Sequence, residues 1–240
     1  MSVINYGSRA RLGVLLPSGN QAAEPQFNAM LPAGVALHTT RLKLRGSSDQ
    51  ELLAMAEGVE DAARLVADAE PSLVLFHCTA VSTYSQELEQ SIKARIVKAT
   101  GKPATATSEA IVTALRKLRA RRIVMLSPYN EVINAREAKY FEDAGFEILD
   151  CAGLGCRDAP AMMAVTPERW RRYAIEHRHD KADAYLLSCT TVRSSEVAEA
   201  LERELGRPVV TSNTATVWHC LRTMGIEDRV SGYGRLLADH

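Results

Sequence analysis

Two cysteines stand in nearly the same setting, and no other residues of the chain are better placed to do chemistry. One closes the run Leu73-Val74-Leu75-Phe76-His77-Cys78 and the other the run Ala184-Tyr185-Leu186-Leu187-Ser188-Cys189. Each opens a Cys-Thr-x-Val element, with Thr79 and Val81 after the first and Thr190 and Val192 after the second. A short apolar run that stops at a polar, helix-like stretch predicts a thiol where a buried strand hands over to a helix. There the unpaired N–H groups and the positive end of the helix dipole are expected to draw a thiol from about 8.5 toward neutrality. The backbone N–H groups of Thr79, Ala80, Thr190 and Thr191, the threonine hydroxyls, Asn20 and Tyr129 would supply donors for a carboxylate. Donors so aimed stabilise the enediolate-like charge that builds when the neighbouring carbon loses a proton or CO2. The chemistry expected is that of a carboxylic acid. His77 precedes Cys78 and by strand alternation should point away from it, which favours packing over base catalysis.

The surroundings of the two cysteines repeat as well. Leu16-Pro17-Ser18-Gly19-Asn20 returns as Leu126-Ser127-Pro128-Tyr129-Asn130, and Gly101-Lys102-Pro103 with Thr107-Ser108 returns as Gly206-Arg207-Pro208 with Thr211-Ser212. Pro17 to Pro128 and Cys78 to Cys189 are both 111 positions. Two equivalent halves facing each other would bring both thiols to one cleft.

The elements that must hold these residues follow from periodicity. Buried strands are predicted at Leu12 to Leu16, Leu73 to Phe76, Ile123 to Leu126 and Ala184 to Leu187, and helices over Asp49 to Ala69, Glu87 to Thr100, Glu109 to Arg119 and Ser194 to Leu205. Strands alternating with helices imply parallel sheets covered on both faces. The expected architecture is α/β, two pseudo-symmetric doubly wound lobes, 1–112 and 113–240, with the last segment free to cross back to the first. In such sheets ligands bind beyond the carboxyl ends of the strands, where Asn20, Cys78, Tyr129 and Cys189 all fall.

Composition narrows the field of partners. The 240 residues carry 29 basic and 29 acidic side chains and no net charge, with no long basic run, so nucleic acid is not an expected partner. No apolar stretch approaches the roughly 20 residues of a membrane span and no leader pattern opens the chain, which points to a cytoplasmic protein without a membrane partner. Five cysteines without framework spacing fit free thiols; Cys151, Cys156 and Cys220 lack the repeated motif and read as structural. His177 and His179 lack metal-ligand spacing, so no metal is expected. Gly153-Leu154-Gly155 has neither a third glycine nor a convincing strand before it, so no nucleotide cofactor is expected either. The partner expected is a small carboxylate or dicarboxylate, with a homo-oligomer left open.

Leu15-Leu16-Pro17-Ser18-Gly19-Asn20, the two Cys-Thr-x-Val elements, Ser127-Pro128-Tyr129-Asn130 and Gly232-Tyr233-Gly234-Arg235-Leu236 together resemble the aspartate/glutamate racemase superfamily, in its maleate cis-trans isomerase and arylmalonate decarboxylase branch. The resemblance implies two flavodoxin-like lobes, a site between them and no cofactor. It makes Cys78 the thiolate that adds to a double bond and Cys189 the partner that handles the proton. It also makes Asn20 and Tyr129 holders of a substrate carboxylate, with backbone at Ala80 and Thr191 completing the cradle. Decarboxylases of the branch carry a small non-thiol residue where this chain has Cys78, which favours an isomerase. A racemase or decarboxylase of a related acid is the alternative enzyme, and a carboxylate-binding protein without turnover is the rival from another class. The isomerases carry a further substrate-binding asparagine in the stretch that here reads Arg157-Asp158-Ala159-Pro160-Ala161-Met162, and this chain has none.

Overall fold

Alternating apolar runs and amphipathic segments build the chain in two rounds, seen in a computed structural model that describes residues 4–44, 46 and 48–240. The first round is β1 (Ala10–Pro17), α1 (Ala23–Met30), β2 (Val35–Leu42), α2 (Asp49–Glu57), α3 (Val59–Ala67), β3 (Leu73–Phe76), α4 (Thr79–Ser82), α5 (Gln86–Thr100), β4 (Ala104–Ala106) and α6 (Thr107–Lys117). The second is β5 (Arg122–Ser127), α7 (Glu131–Asp143), β6 (Glu147–Gly153), α8 (Ala159–Ala164), α9 (Pro167–Glu176), β7 (Ala184–Leu187), α10 (Ala198–Leu205), β8 (Val209–Thr211), α11 (Ser212–Thr223) and α12 (Arg235–Asp239). Among these residues the strands form two parallel four-stranded sheets, ordered β2-β1-β3-β4 and β6-β5-β7-β8. The α/β class and the two-sheet plan are those expected from the sequence.

The duplication extends to register. Leu15 pairs with Phe76 in the first sheet, and Leu126 pairs with Leu187, each 111 positions on, in the second. The repeated Gly-basic-Pro triplet has one job in both halves. Gly101 (φ 68°) and Gly206 (φ 67°) end α5 and α10 in the left-handed conformation that costs glycine least. The Pro103 and Pro208 carbonyls then accept from Val74 and Tyr185, aligning the central strands.

The sequence reading departs from the fold at two elements. The helix expected over Asp49 to Ala69 is broken at Gly58, where a Cβ would sit 3.2 Å from the Leu42 side chain, so α2 and α3 meet where β2 presses closest. A strand, β6, does precede Gly153-Leu154-Gly155; its residues are mostly half-buried at a sheet edge, so they lack the solid apolar run of a central strand.

Candidate active site

Four loops leave the carboxyl ends of β1, β3, β5 and β7 and meet at one cavity. Its lining includes Asn20, Cys78, Ala80, Tyr129, Cys189, Thr190 and Thr191. Seven of the eight residues expected at a site are thus brought together. The eighth, Thr79, turns away: its hydroxyl donates to Ser212 Oγ at 3.0 Å. Asn20 is held by its own turn, its side-chain oxygen accepting from the N–H groups of Ala22 (3.0 Å) and Ala23 (2.9 Å) at the start of α1. Its amide nitrogen reaches across to the second half and donates to Thr190 O (3.2 Å) and Oγ1 (3.1 Å). Tyr129 lines the cavity with Cys189, its phenol favouring the thiolate of that cysteine, and its own backbone N–H donates to Ser127 Oγ at 2.9 Å.

The two thiols are not equivalent. Cys78 is the N-cap residue of α4, a helix of one turn, where its sulfur makes no capping hydrogen bond and the nearby N–H groups of Val81 and Ala80 only favour its thiolate. No helix starts at Cys189; the next helical turn is a 3-10 turn at Ser195–Val197, so only one of the two expected helix N-termini exists. Instead Cys189 adopts φ 107°, a conformation that non-glycine residues rarely hold, and its sulfur accepts from Thr191 N–H at 3.3 Å. The expected acidic thiols are not found either. Burial pushes Cys78 and Cys189 up to about 12, outweighing the N–H contacts and, at Cys189, the Tyr129 phenol. With one helical turn at Cys78 and none at Cys189, the dipole is too weak to offset the loss of water. The resting site holds two neutral thiols in a cavity of only about 50 Å³, well below the roughly 300 Å³ of an ordinary ligand pocket. Admission of a substrate therefore requires the walls to part.

Other residues lining the cavity are apolar. Pro17, Leu44, Leu52, Ala159 and Met162 line it, with Met162 Sδ 3.9 Å from Cys189 Sγ. Asp158 lines it too, and its carboxylate caps α8 by accepting from Ala161 N–H at 2.9 Å. This is the stretch in which the resemblance leads one to look for an asparagine.

Behind the thiols lie groups that the sequence reading treated as packing or missed. His77 points away from the cavity, with Nδ1 3.0 Å from Thr107 Oγ1 and Nε2 2.9 Å from Asn213 Oδ1, and burial pushes it down to about 3, so it is a neutral bridging group. Glu137 was missed. It lies on the inner face of α7, accepts from Ser188 Oγ, and leaves Oε2 with no partner among the described residues, so that burial pushes it up to about 7. The available signal was its place one turn after Ile133 and one before Phe141, a carboxyl on an apolar stripe.

Known proteins resemble this chain over nearly all of its length. The chain is 29% identical over 238 residues to the maleate isomerase of Nocardia farcinica, covering 95% of both chains, and 27% identical over 243 residues to that of Alcaligenes faecalis, covering 95% of this chain and 96% of the other. Among solved structures it is similar to a cysteine-to-serine mutant of the Nocardia farcinica maleate cis-trans isomerase with a covalently bound succinylcysteine intermediate (TM-score 0.89, 25% identity, 96% and 99% of the two chains). The family model described as arylmalonate decarboxylase matches residues 12–237, which takes in both sheets but for the first two residues of β1, and the chain belongs to that family.

Proposed function

We propose that the protein interconverts the cis and trans forms of a small unsaturated dicarboxylic acid of the maleate kind, with Cys78 as nucleophile and Cys189 as proton carrier. The observation that carries this reading is the convergence of two thiols, from matching strand ends of two sheets, on one cavity with carboxylate donors around it. The protein is a cysteine-based isomerase. In the productive state the thiol pair has lost one proton. The Cys78 thiolate forms a C–S bond to one alkene carbon, and the π pair moves to the neighbouring carbon and into its carboxylate. Asn20, Tyr129 and the backbone N–H groups of Ala80 and Thr191 hold that charge. Cys189 delivers its proton to the same carbon, the resulting single bond rotates, Cys189 takes a proton back, and the C–S bond breaks to leave the trans acid. No oxidant or reductant enters.

A second reading draws on the apolar wall with Asp158 in it. An acid bearing one carboxylate and an apolar arm would fit there, and two thiols on opposite faces of its α-carbon would racemise it. Proton NMR in D2O separates the readings. Maleate should give the trans acid, with Cys78→Ala and Cys189→Ala each folded and each inactive. Turnover by either mutant, or α-deuteration of saturated acids without any isomerisation, would overturn the leading reading.

A further inference from the structure

We infer that Ser212 and Asn213, the first two residues of α11, form a clamp that sets the two thiols against each other and are positioning residues for the reaction. Each thiol is flanked by groups that this dipeptide binds. Ser212 Oγ accepts from the Cys189 N–H at 3.0 Å and from Thr79 Oγ1 at 3.0 Å. The Asn213 side-chain oxygen is 2.9 Å from His77 Nε2, and its amide nitrogen donates to Thr190 O at 3.3 Å. The residues on both sides of Cys78, together with the backbone of Cys189 and of the residue after it, thus end on two adjacent side chains. Both are fully or almost fully buried and neither lines the cavity, so they act only through their neighbours.

Two further observations support a positioning role. Cys189 is held at φ 107°, a conformation that costs on the order of 1–3 kcal/mol and persists only where the surroundings over-determine it. Its N–H is fixed by Ser212, and the carbonyl of Thr190 by Asn213 and by Asn20. The clamp itself is anchored, since Asn213 Nδ2 also donates to Gln26 Oε1 at 2.7 Å while Gln26 Nε2 donates to Val192 O at 2.8 Å. The second observation is asymmetry. In the first half Thr107-Ser108 opens α6 as Thr211-Ser212 leads into α11, but Ser108 donates to Glu89 and Glu109 pairs with Lys93 at 3.1 Å. Thr107 of the first copy does touch His77 beside Cys78, but only the second copy contacts groups flanking both cysteines.

The test rests on the two-thiol reading and separates its failure from that of the clamp. With maleate as substrate, Ser212→Ala and Asn213→Ala should each lower kcat by about tenfold or more with KM shifted less than about threefold, because misplaced thiols bind substrate but do not hand over the proton. Ser212→Thr, which keeps the hydroxyl, should recover to within about threefold of the natural enzyme. A merely structural role is met by a one-thiol readout. In a Cys189→Ser background, mass-detected addition of maleate to Cys78 should change less than about threefold when Ser212→Ala is added. Equal falls in that addition and in isomerisation, or unchanged kcat in both alanine variants, would overturn the clamp. Should Ser212→Ala fail to fold, Thr79→Val cuts the same link from its other end without changing side-chain volume, and unchanged kcat there overturns it too. Isomerisation retained by Cys78→Ala or Cys189→Ala would instead remove the two-thiol reading.

Discussion

Glu137 stands in the interior with one oxygen on Ser188 and the other without a partner among the described residues, and that arrangement ties stability to pH. Its carboxyl is pushed up from 4.5 to about 7, so between those values the unfolded chain ionises while the folded chain keeps its proton. A native state that binds more protons loses stability as pH rises, here by about 3 kcal/mol across the window, with nothing further lost above pH 7 from this group. Arg136, the charged neighbour that favours ionisation, is too weakly engaged to reverse the sign. Glu137→Gln keeps the shape and removes the titration. Urea unfolding at pH 5 and pH 8 should show the natural protein losing about 2.5 kcal/mol relative to the variant. Equal pH dependence in the two proteins would contradict the buried neutral acid. The same residue marks where sequence reading stops. Cys78 and Cys189 were legible because a strand end is a local pattern that the chain writes twice. The direction of their pKa was not, because it depends on how four loops exclude water together.

Among the elements, the strands that carry the thiols were readable because β3 and β7 are buried on both faces and so are continuously apolar. β6 lies at an edge and mixes polar with apolar residues, and the break between α2 and α3 depends on a contact with β2 that no local spacing reveals. Helix α8 is the element with the largest consequence for specificity. Its cap, Asp158, is the one carboxylate among the described residues lining the cavity, and the proposed maleate-like substrate would bring a second carboxylate near it. Like charges a few ångströms apart in a site of intermediate dielectric repel by on the order of 1 kcal/mol or more. Asparagine caps a helix about as well as aspartate, so Asp158→Asn removes the charge and keeps α8. We expect its KM for maleate to fall about fivefold, at that repulsion, with Tm shifted by less than about 2 °C. A raised KM would show that the second carboxylate lies elsewhere.

At the scale of the whole molecule the duplication suggests two independent lobes, and the packing argues against it. A division into 1–112 and 113–240 would cut through α6. The two apolar clusters do not follow the two sheets: one joins Leu15 and Phe76 to Val124 and Leu187, and the other joins Leu12 and Leu75 to Ile123 and Leu186. Helix α11 leaves the second sheet and packs against α6, α1 and β3 of the first round. Polar links cross at the rim as well, through Arg9 with Asp228 at 2.7 Å and Arg136 with Asp49 at 2.6 Å. Each half therefore completes its core with side chains of the other, and a half on its own would expose apolar surface whose burial contributes about 25 cal/mol per Å². Calorimetry should record one transition, with calorimetric and van't Hoff enthalpies in a ratio of about 1. The fragment 1–112 expressed alone should show no cooperative melt. Two resolved transitions, or a fragment that folds, would mean that the halves hold the thiols as separable lobes, and the site could then open by lobe movement at little cost. One transition would mean that side chains of the cavity wall such as Leu44, Leu52 and Met162, rather than whole lobes, part for the substrate.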